Sequence, residues 1–490
     1  MGNHVLDERS IDRAIYPFLG DGRDISVVKQ AAESLEKAYK DAGYGTVFVD
    51  IPEQKVDEGV VRLKVTEGRL ESVRIRGARY YSEGQIMAAV PELEPGRTPH
   101  LPTLQQELAA INNRSADRSV TPVLKAGSQP GTVDVDLAVK DDLPLHGSLE
   151  YDNRHTADTT PNRAIAALSY DNLWQRQDSI SAQYQTAPAH PDEAEVLSAS
   201  YLGHIGDGLA NLSYIHTTSN VLALGTLGVL GKGSIYGLHW LVPLGSSTDG
   251  SQSLNAGVDY KDVLTQVLPD ASGGVGNTAA VTAPVHYLNW SLVYSHDWRR
   301  PRFTFAMYGG LNFGIRSFIN SPDQFENARY NGNSGYFYVR AGGSASQVLP
   351  WNFGALERIS GQWSNDPLVN NEQFSLGGAD TIRGDLEAET LGDSGAAASF
   401  ELHSPPLGSW AGRLLSPLYA FAFVDVGVAT LVDPLPAQDG SVHLWSNGFG
   451  VRLDSVFGVA GSVDYAIPRS QGTRTESGSG RIDFSVRFGF

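Results

Sequence analysis

The chain contains no cysteine. A disulfide framework, a thiolate metal centre and a cysteine nucleophile are therefore excluded together. It also lacks an apolar run of about 18 residues, the length a membrane-spanning helix needs. After Met1 comes GNHVLDERSIDRAIYPF, which has neither the basic nor the apolar segment of a secretion signal. Positive charge is scarce too. Lys and Arg number 37 against 55 Asp and Glu, a net charge of −18. Phosphate contacts need a basic surface, so this balance argues against a nucleic-acid partner.

What is present narrows the class. Of 490 residues, 53 are glycine, and 41% are apolar. That content excludes a disordered chain. The missing apolar runs do not exclude a membrane protein, because a transmembrane β-barrel alternates lipid-facing and lumen-facing residues and keeps an ordinary hydropathy.

Residues 1 to about 142 read as mixed α and β. Asp24 is placed to cap a helix over ISVVKQAAESLEKAYKDAGY, with Ile25, Val28, Ala32, Leu35 and Tyr39 on one face and Gly43 at its stop. TVFVDI and VVRLKVTEG follow as strands. SVRIRG, a weakly helical run and LPTLQQELAAINN come next, with Leu104, Leu108 and Ile111 on one helical face. Two strand-like runs, SVTPVLKAG and GTVDVDLAVKD, close the half. The pattern repeats at an offset of about 75 residues, the size of a small domain. GNHVLDERSIDRAI aligns with GARYYSEGQIMAAV, Gly2 on Gly77 and Ile11 on Ile86, and Ile15 faces Val90. Each copy reads strand, helix, helix, strand, strand. The second has its opening strand before the matched glycine, whereas only Met1 precedes Gly2. The expectation is that natural sequence has been removed upstream, or that the start codon is wrongly chosen.

From about residue 145 short alternating runs take over, beginning with HGSLEYDNR and RAIAALSYDN and ending with GVAGSVDYAI and RIDFSVRFGF. There are roughly 16, spaced by about 21 residues, which suits strand, loop, strand and turn. LWQRQ, IGDG and DSVFG are short connections, and the intervening ones are long. Short turns on one side and long loops on the other form the outer-membrane pattern. Trp174, Trp290, Trp298, Trp351, Trp363 and Trp445 lie near strand ends and suit interface girdles. A soluble sandwich or propeller competes with this reading, but no blade repeat is present. The last strand alternates to its final residue. Ile482, Phe484, Val486, Phe488 and Phe490 would face lipid, and the five residues between them the lumen. Such a strand has to zip to the first strand of a closed barrel, so it is no ordinary edge.

Several stretches then resemble one family. VDIPEQKVDEGVVRLKVTEGRLESVRIRG (49–77) resembles the first periplasmic POTRA domain of the TpsB two-partner secretion transporters, the barrels that export hemolysins and filamentous hemagglutinins. AGSQPGTVDVDLAV (126–139) is similar to the end of their second POTRA domain. YDNRHT and YDNLWQRQDSISAQY resemble their first barrel strands. LGGADTIRGDLEAETLGDSGAAASFEL (376–402) resembles their sixth external loop and twelfth strand, and FVDVG (423–427) a barrel-wall motif. The matches run in order over nearly the whole chain. The resemblance implies a mixed fold: small α/β POTRA domains, 1–69 and 70–142, followed by a sixteen-stranded antiparallel transmembrane β-barrel over 143–490. A loop at about 366–393 would fold into the lumen.

The loop motif of the family is Val-Arg-Gly-Tyr or a close variant. Here it is Ile382-Arg383-Gly384-Asp385, so the Arg-Gly core is kept and the fourth residue departs. The resemblance pairs Arg383 with Asp425, in the wall motif that also holds Phe423 and Gly427. Arginine offers a rigid donor fork matched to a carboxylate. An ionised Asp425 must face the lumen, which by parity turns Phe421 and Phe423 inward and Val424 and Val426 toward lipid. Gly384 suits a tight bend or a close backbone approach. Read without the family, Arg383-Gly384-Asp385 is a chance tripeptide or an adhesion motif.

Signals for catalysis fail. GTLGVLGKGS (225–234) has the look of a phosphate loop, but its glycine spacing is one residue too long and Lys232 is followed by Gly233, so an external hairpin is expected. SGSGR (477–481) lacks the strand and helix of a nucleophile elbow. The 12 histidines show no metal-ligand spacing. Asp141-Asp142 reads as solvated linker. No catalytic residue, cofactor or metal is expected.

The implied function is export of one dedicated, unfolded exoprotein of the TpsA type. The POTRA pair would bind it in the periplasm by β-augmentation. The barrel would pass it as the inward loop shifts, and folding outside would drive the passage. The barrel would sit in outer-membrane lipid as a monomer, inserted by the barrel assembly machinery through the strand signal Phe484, Val486, Phe488 and Phe490. An assembly factor of the same superfamily and a passive porin are the alternatives. The family usually carries an N-terminal helix that plugs the pore. Neither helix nor linker stands before Gly2, so ready ion conduction is expected of this chain.

Overall fold

The computed structural model describes residues 2–56, 59–157, 159–218, 231–247, 249–267, 281–408, 417–436 and 438–490. It divides into two units, Met1–Pro144 and Leu145–Phe490.

In the first unit, α1 (Glu8–Ile15) and α2 (Ile25–Asp41) precede an antiparallel pair, β1 (Val47–Asp50) and β2 (Lys64–Glu67). Asp24 caps α2 by accepting from Ser26 N and Val27 N. Leu35, Tyr39, Val47 and Val65 form the core of this repeat. Ile25 does not join it. It is the first residue of the helix and stands exposed, and Ala31 is buried with Ala32 instead.

The second repeat runs β3 (Arg69–Arg76), α3 (Glu83–Ala88), α4 (Leu101–Asn113), β4 (Arg118–Ala126) and β5 (Thr132–Asp141). Its sheet order is β3-β5-β4, with β3 parallel to β5. Ile86, Leu93, Leu104, Ile111 and Val135 lie in a separate core.

Matched positions of the two repeats do the same work. Gly2 and Gly77 hold φ of +90° and +92°, and a Cβ would lie 2.4 Å from Val65 O in one and 2.3 Å from Val139 O in the other. Glu67 accepts from His4 N and Val5 N at 2.5 and 3.0 Å. Asp141 accepts from Arg79 N, Tyr80 N and Tyr81 N at 2.8, 2.8 and 3.1 Å. The reading of Asp141 as solvated linker is thus corrected. Burial pushes its carboxyl up, but the three N–H donors outweigh that and hold it below its ordinary value.

The second unit is one closed barrel of sixteen strands, each paired antiparallel with its neighbours. They are β6 (Leu145–Asp152), β7 (Arg163–Leu173), β8 (Asp178–Thr186), β9 (Glu195–Ile205), β10 (Gly208–Thr217), β11 (Lys232–Ser247), β12 (Gly250–Val267) and β13 (Val281–Arg300). Then come β14 (Phe303–Gly314), β15 (Phe337–Val348), β16 (Gly354–Ser364), β19 (Ser394–His403), β20 (Leu418–Thr430), β21 (Ser441–Val456), β22 (Val459–Pro468) and β23 (Arg481–Gly489). Each corresponds to an alternating run of the sequence. β17 (Phe374–Leu376) and β18 (Thr390–Gly392) lie in the loop between β16 and β19. In GTLGVLGKGS, residues 225–230 fall outside the described residues, and Lys232–Ser234 open β11.

Closure gives each of the sixteen strands a neighbour on both sides, so the sheet has no edge strand to leave unpaired in hydrocarbon. It sets aside the sandwich and the propeller. The seam joins β23 to β6 from Ser485↔Asp152 to Gly489↔Ser148. Phe490 extends it: its N–H donates to Gly147 O and its carbonyl accepts from Gly147 N, both at 3.0 Å. Outward residues are apolar and exposed, among them Leu149, Leu238, Ile359, Val424 and Phe449, while Asp152, Asp259, Glu401 and Asp425 are buried inside. Ile482, Val486, Phe488 and Phe490 are exposed on the outer face, and Asp483 is buried on the inner one. Trp174, Trp351 and Phe457 stand exposed on short turns with φ near +50 to +60°. Trp290 lies in mid-β13, so the expectation that it stands near a strand end is corrected; register sets it beside Phe313, near the end of the neighbouring β14.

Candidate functional site

Between β16 and β19 the chain turns into the lumen. β17 (Phe374–Leu376) pairs with β18 (Thr390–Gly392), making a short hairpin inside the barrel. Phe374, Leu376 and Ile382 pack on Ala397 of β19, Ala429 of β20 and Leu444 of β21. The wall is shaped for this contact. A Cβ on Gly427 would lie 2.5 Å from Leu376 Cδ1, and one on Gly395 2.4 Å from Phe374 Cδ1.

At the hairpin tip Arg383 is 3% exposed and Asp425 is 0% exposed. Arg383 Nε donates to Asp425 Oδ2 at 2.8 Å, Nη2 to Oδ1 at 2.7 Å, and the backbone N–H to Oδ2 at 3.1 Å. This is the bidentate fork, strengthened by a main-chain donor. The guanidinium carbon also lies 3.5 Å from the centre of the Phe423 ring, a cation–π contact in a site shielded from water. Phe421 and Phe423 both point inward, and Val424 and Val426 face outward, as the parity of Asp425 requires.

The arginine reaches further than the sequence indicated. Nη1 donates to Glu401 Oε1 at 2.6 Å and Nη2 to Ser399 Oγ at 3.0 Å. Glu401 also receives Arg358 at 3.0 Å, Arg452 at 3.4 Å and His403 at 2.9 Å. Five residues of this network, Ser399, Glu401, His403, Arg358 and Arg452, were not identified by sequence reasoning. A signal existed for three: Ser399, Glu401 and His403 alternate with Phe400 and Leu402, which marks a polar inward row.

The other motif residues separate. Gly384 has φ +91°, and a Cβ there would sit 3.0 to 3.1 Å from Pro468 and Ala466, so it serves bend and approach together. Asp385 is buried, and neither of its carboxylate oxygens takes a hydrogen bond among the described residues. Phe484, Val486, Phe488 and Phe490 lie on the last strand and take no part in the network.

The loop's outer end has its own anchors. Asp393 accepts from Leu368 N at 2.9 Å, Gln373 Nε2 at 2.9 Å and Val432 N at 2.8 Å, and pairs with Arg329 at 3.4 Å.

A closed sixteen-stranded barrel with a hairpin docked inside, and a repeat of small α/β domains ahead of it, defines an outer-membrane transporter of the POTRA-plus-barrel class. Residues 131–453 match the profile of the haemolysin secretion/activation proteins ShlB/FhaC/HecB, and residues 1–68 that of the ShlB-type POTRA domain. The chain belongs to this haemolysin secretion/activation family. It is a translocator of two-partner secretion, set in the outer membrane with its POTRA region in the periplasm. The outer membrane transporter CdiB of Dickeya dadantii (strain 3937) is 25% identical over 480 residues, covering 92% of this chain and 79% of that protein. CdiB of Escherichia coli O6:K15:H31 (strain 536 / UPEC) is 24% identical over 424 residues, covering 81% and 66%. The solved structure of CdiB from Escherichia coli superposes with a TM-score of 0.64 at 19% identity, over 100% of this chain and 89% of that one. BamA from Haemophilus ducreyi lacking POTRA domains 1–3 gives 0.61 at 13% identity, over 99% and 98%. These two likenesses establish the fold.

Proposed function

We propose that residues 1–69 and 70–142 are two POTRA domains that capture an extended segment of one dedicated TpsA-type exoprotein, and that the barrel passes it when the inward hairpin leaves Arg383's site. Two features support capture. β4 is an edge strand of its sheet, and it presents Val123 and Leu124 to solvent. An unfolded chain can add to such an edge through main-chain hydrogen bonds. The single observation that carries the gating half is the Arg383 network. The hairpin is fixed by one guanidinium on two carboxylates and by the packing of Phe374, Leu376 and Ile382 on the wall, so its departure has to break both sets of contacts together. The terminal residues Phe484, Val486, Phe488 and Phe490 serve in the same reading as the strand signal for the barrel assembly machinery. The closed barrel works as a monomer.

The test compares secreted and outer-membrane proteins of the source bacterium with the gene intact and with Arg383→Ala. Loss of one large protein from the medium, with other barrels unchanged, supports dedicated export. A general fall in outer-membrane barrels would identify an assembly factor instead and overturn the proposal.

A further inference from the structure

Glu372 sits where the loop leaves the outer mouth and turns inward, in the short turn Asn370–Glu372. It is 1% exposed. Its Oε1 accepts from Lys261 Nζ at 2.5 Å and from Tyr287 OH at 2.6 Å, and its Oε2 from Tyr338 OH at 2.8 Å. Its carbonyl accepts from Gln362 Nε2 at 2.8 Å. Lys261 belongs to β12, Tyr287 to β13, Tyr338 to β15 and Gln362 to β16, so one loop residue ties four wall strands together. None of these four donors touches Arg383, whose own partners lie on β19 and β20.

Directly around this carboxylate is an apolar cluster. Val263 and Val285 come from β12 and β13, Phe325 from the short helix α5 (Pro322–Ala328), Tyr336 from the segment after it, and Leu368 and Val369 from the start of the loop. Phe325 meets Tyr287 and Tyr336 ring to ring at 5.3 and 5.9 Å, and Tyr336 stacks on Tyr338 at 6.1 Å. Tyr287 and Tyr338 therefore belong to both groups. Each presents its ring to the cluster and its hydroxyl to Glu372.

The physical consequence is a coupling. A carboxylate and an ammonium withdrawn from water are stable only together, because separating them leaves each charge desolvated and unpaired. The loop cannot shift at Glu372 without also giving up the two tyrosine hydroxyls. The rings of those tyrosines hold the outer cluster. We infer that Glu372 is a positioning residue, an outer latch separate from Arg383, whose release opens the apolar cluster of α5, Leu368 and Val369 to the external medium. The inference rests on the reading that the loop moves during export.

Because the chain has no cysteine, a single Val369→Cys reports on the cluster without background. Val369 is buried. A membrane-impermeant maleimide is added to intact cells, and heat-modifiable migration verifies that each barrel is folded. With Val369→Cys alone, labelling is slow. Adding Lys261→Met leaves Glu372 charged and buried, and labelling accelerates by a factor on the order of a hundred to a few thousand, the scale of a broken buried pair. Adding Glu372→Gln to Lys261→Met removes the stranded charge, and labelling falls back toward the starting rate. Arg383→Ala leaves the outer latch intact and labels slowly. The inference is overturned if Lys261→Met labels no faster than its parent, if the double variant labels as fast as Lys261→Met, or if Arg383→Ala alone exposes the cysteine equally. Simple loss of packing would not be rescued by Glu372→Gln. Should Lys261→Met fail to assemble, Tyr338→Phe decides: labelling several-fold faster supports the latch, and an unchanged rate refutes it. Export is measured in the same strains. Faster labelling with unaltered export keeps the latch and removes loop movement from transport. Unaltered labelling with lost export does the reverse.

Discussion

Gly427 and Leu376 define how closely the hairpin approaches the wall: a Cβ on the glycine would fall 2.5 Å from Leu376 Cδ1 and 3.2 Å from Ile382 Cδ1. The glycine of the wall motif is therefore a landing site for the loop. Gly427→Ala presses on the Leu376 and Ile382 methyl ends and stands 3.0 Å from the Ala396 carbonyl oxygen, so it should loosen the docked hairpin only in part. Gly427→Leu cannot be accommodated with the hairpin docked. The expected outcome is a folded barrel with an undocked loop, seen as faster protease cleavage between residues 377 and 389 while heat-modifiable migration is kept. Unchanged cleavage would show that the wall yields.

The Arg383 network makes a prediction about charge. Removing the guanidinium leaves Asp425 buried without its partner, whereas Glu401 keeps Arg358, Arg452 and His403. Arg383→Met should therefore destabilise the barrel by about 3–5 kcal/mol. Asp425→Asn in the same chain should recover most of that loss without restoring export. Thermal unfolding in detergent measures the first effect, and the secreted protein level the second. Equal stability of single and double variants would contradict the assignment.

Arg383→Lys tests the fork itself. A lysine is a point donor and cannot hold Asp425 by two parallel bonds while also reaching Glu401 and Ser399. Export should fall by about tenfold or more despite the conserved charge. Near-normal export with lysine would mean that charge alone holds the hairpin.

The seam predicts a position-specific assembly defect. Phe490 makes two main-chain bonds to Gly147, and its ring occupies the space a Cβ on Gly147 would need, 2.4 Å from Cζ. Deleting Phe490 or introducing Gly147→Val should lower the fraction of folded barrel in the outer membrane. Ser148→Thr, beside them on the lumen face, should not. The heat-modifiable fraction on a gel reports all three.

Asp141 predicts an acid limb. Its carboxyl is held below the ordinary range in the folded chain. The stabilisation it supplies is full above the unfolded carboxylate value of about 3.9 and is lost as pH falls through the lower folded value. Asp141→Asn should remove about 1–3 kcal/mol at neutral pH, by leaving backbone N–H groups poorly satisfied. It should also flatten the fall in stability toward low pH. Calorimetry of the full chain in detergent follows the transition of the first unit, and an unchanged acid limb would remove Asp141 from this role.

Strand positions were legible because a barrel strand carries its pattern locally. Apolar and polar faces alternate residue by residue, so RIDFSVRFGF announces its two faces without any partner. The repeat was legible for a similar reason: Gly2 and Gly77 each need a positive φ at one place in their own fold. Asp425 could be turned inward by parity alone, and Phe423 and Val424 followed. Ile25 was misjudged because periodicity assigns a helix face but not where the core stops covering it. Asp141 was misjudged because a charged pair next to a domain end looks solvated until the N–H groups of Arg79, Tyr80 and Tyr81 are seen to converge on it.

Parity says that a side chain faces the lumen, and nothing more. Which lumen residue meets which depends on the register of sixteen strands and on how deep the hairpin descends. Arg383 finds Glu401 as well as Asp425, and Glu372 finds Lys261, Tyr287 and Tyr338, only after the barrel has closed. The sequence by itself determined the strands, their two faces and the repeat, because those are short-range patterns. The tertiary structure alone decided the carboxylate partners, because they are set by distances across a closed wall that no local stretch of chain encodes.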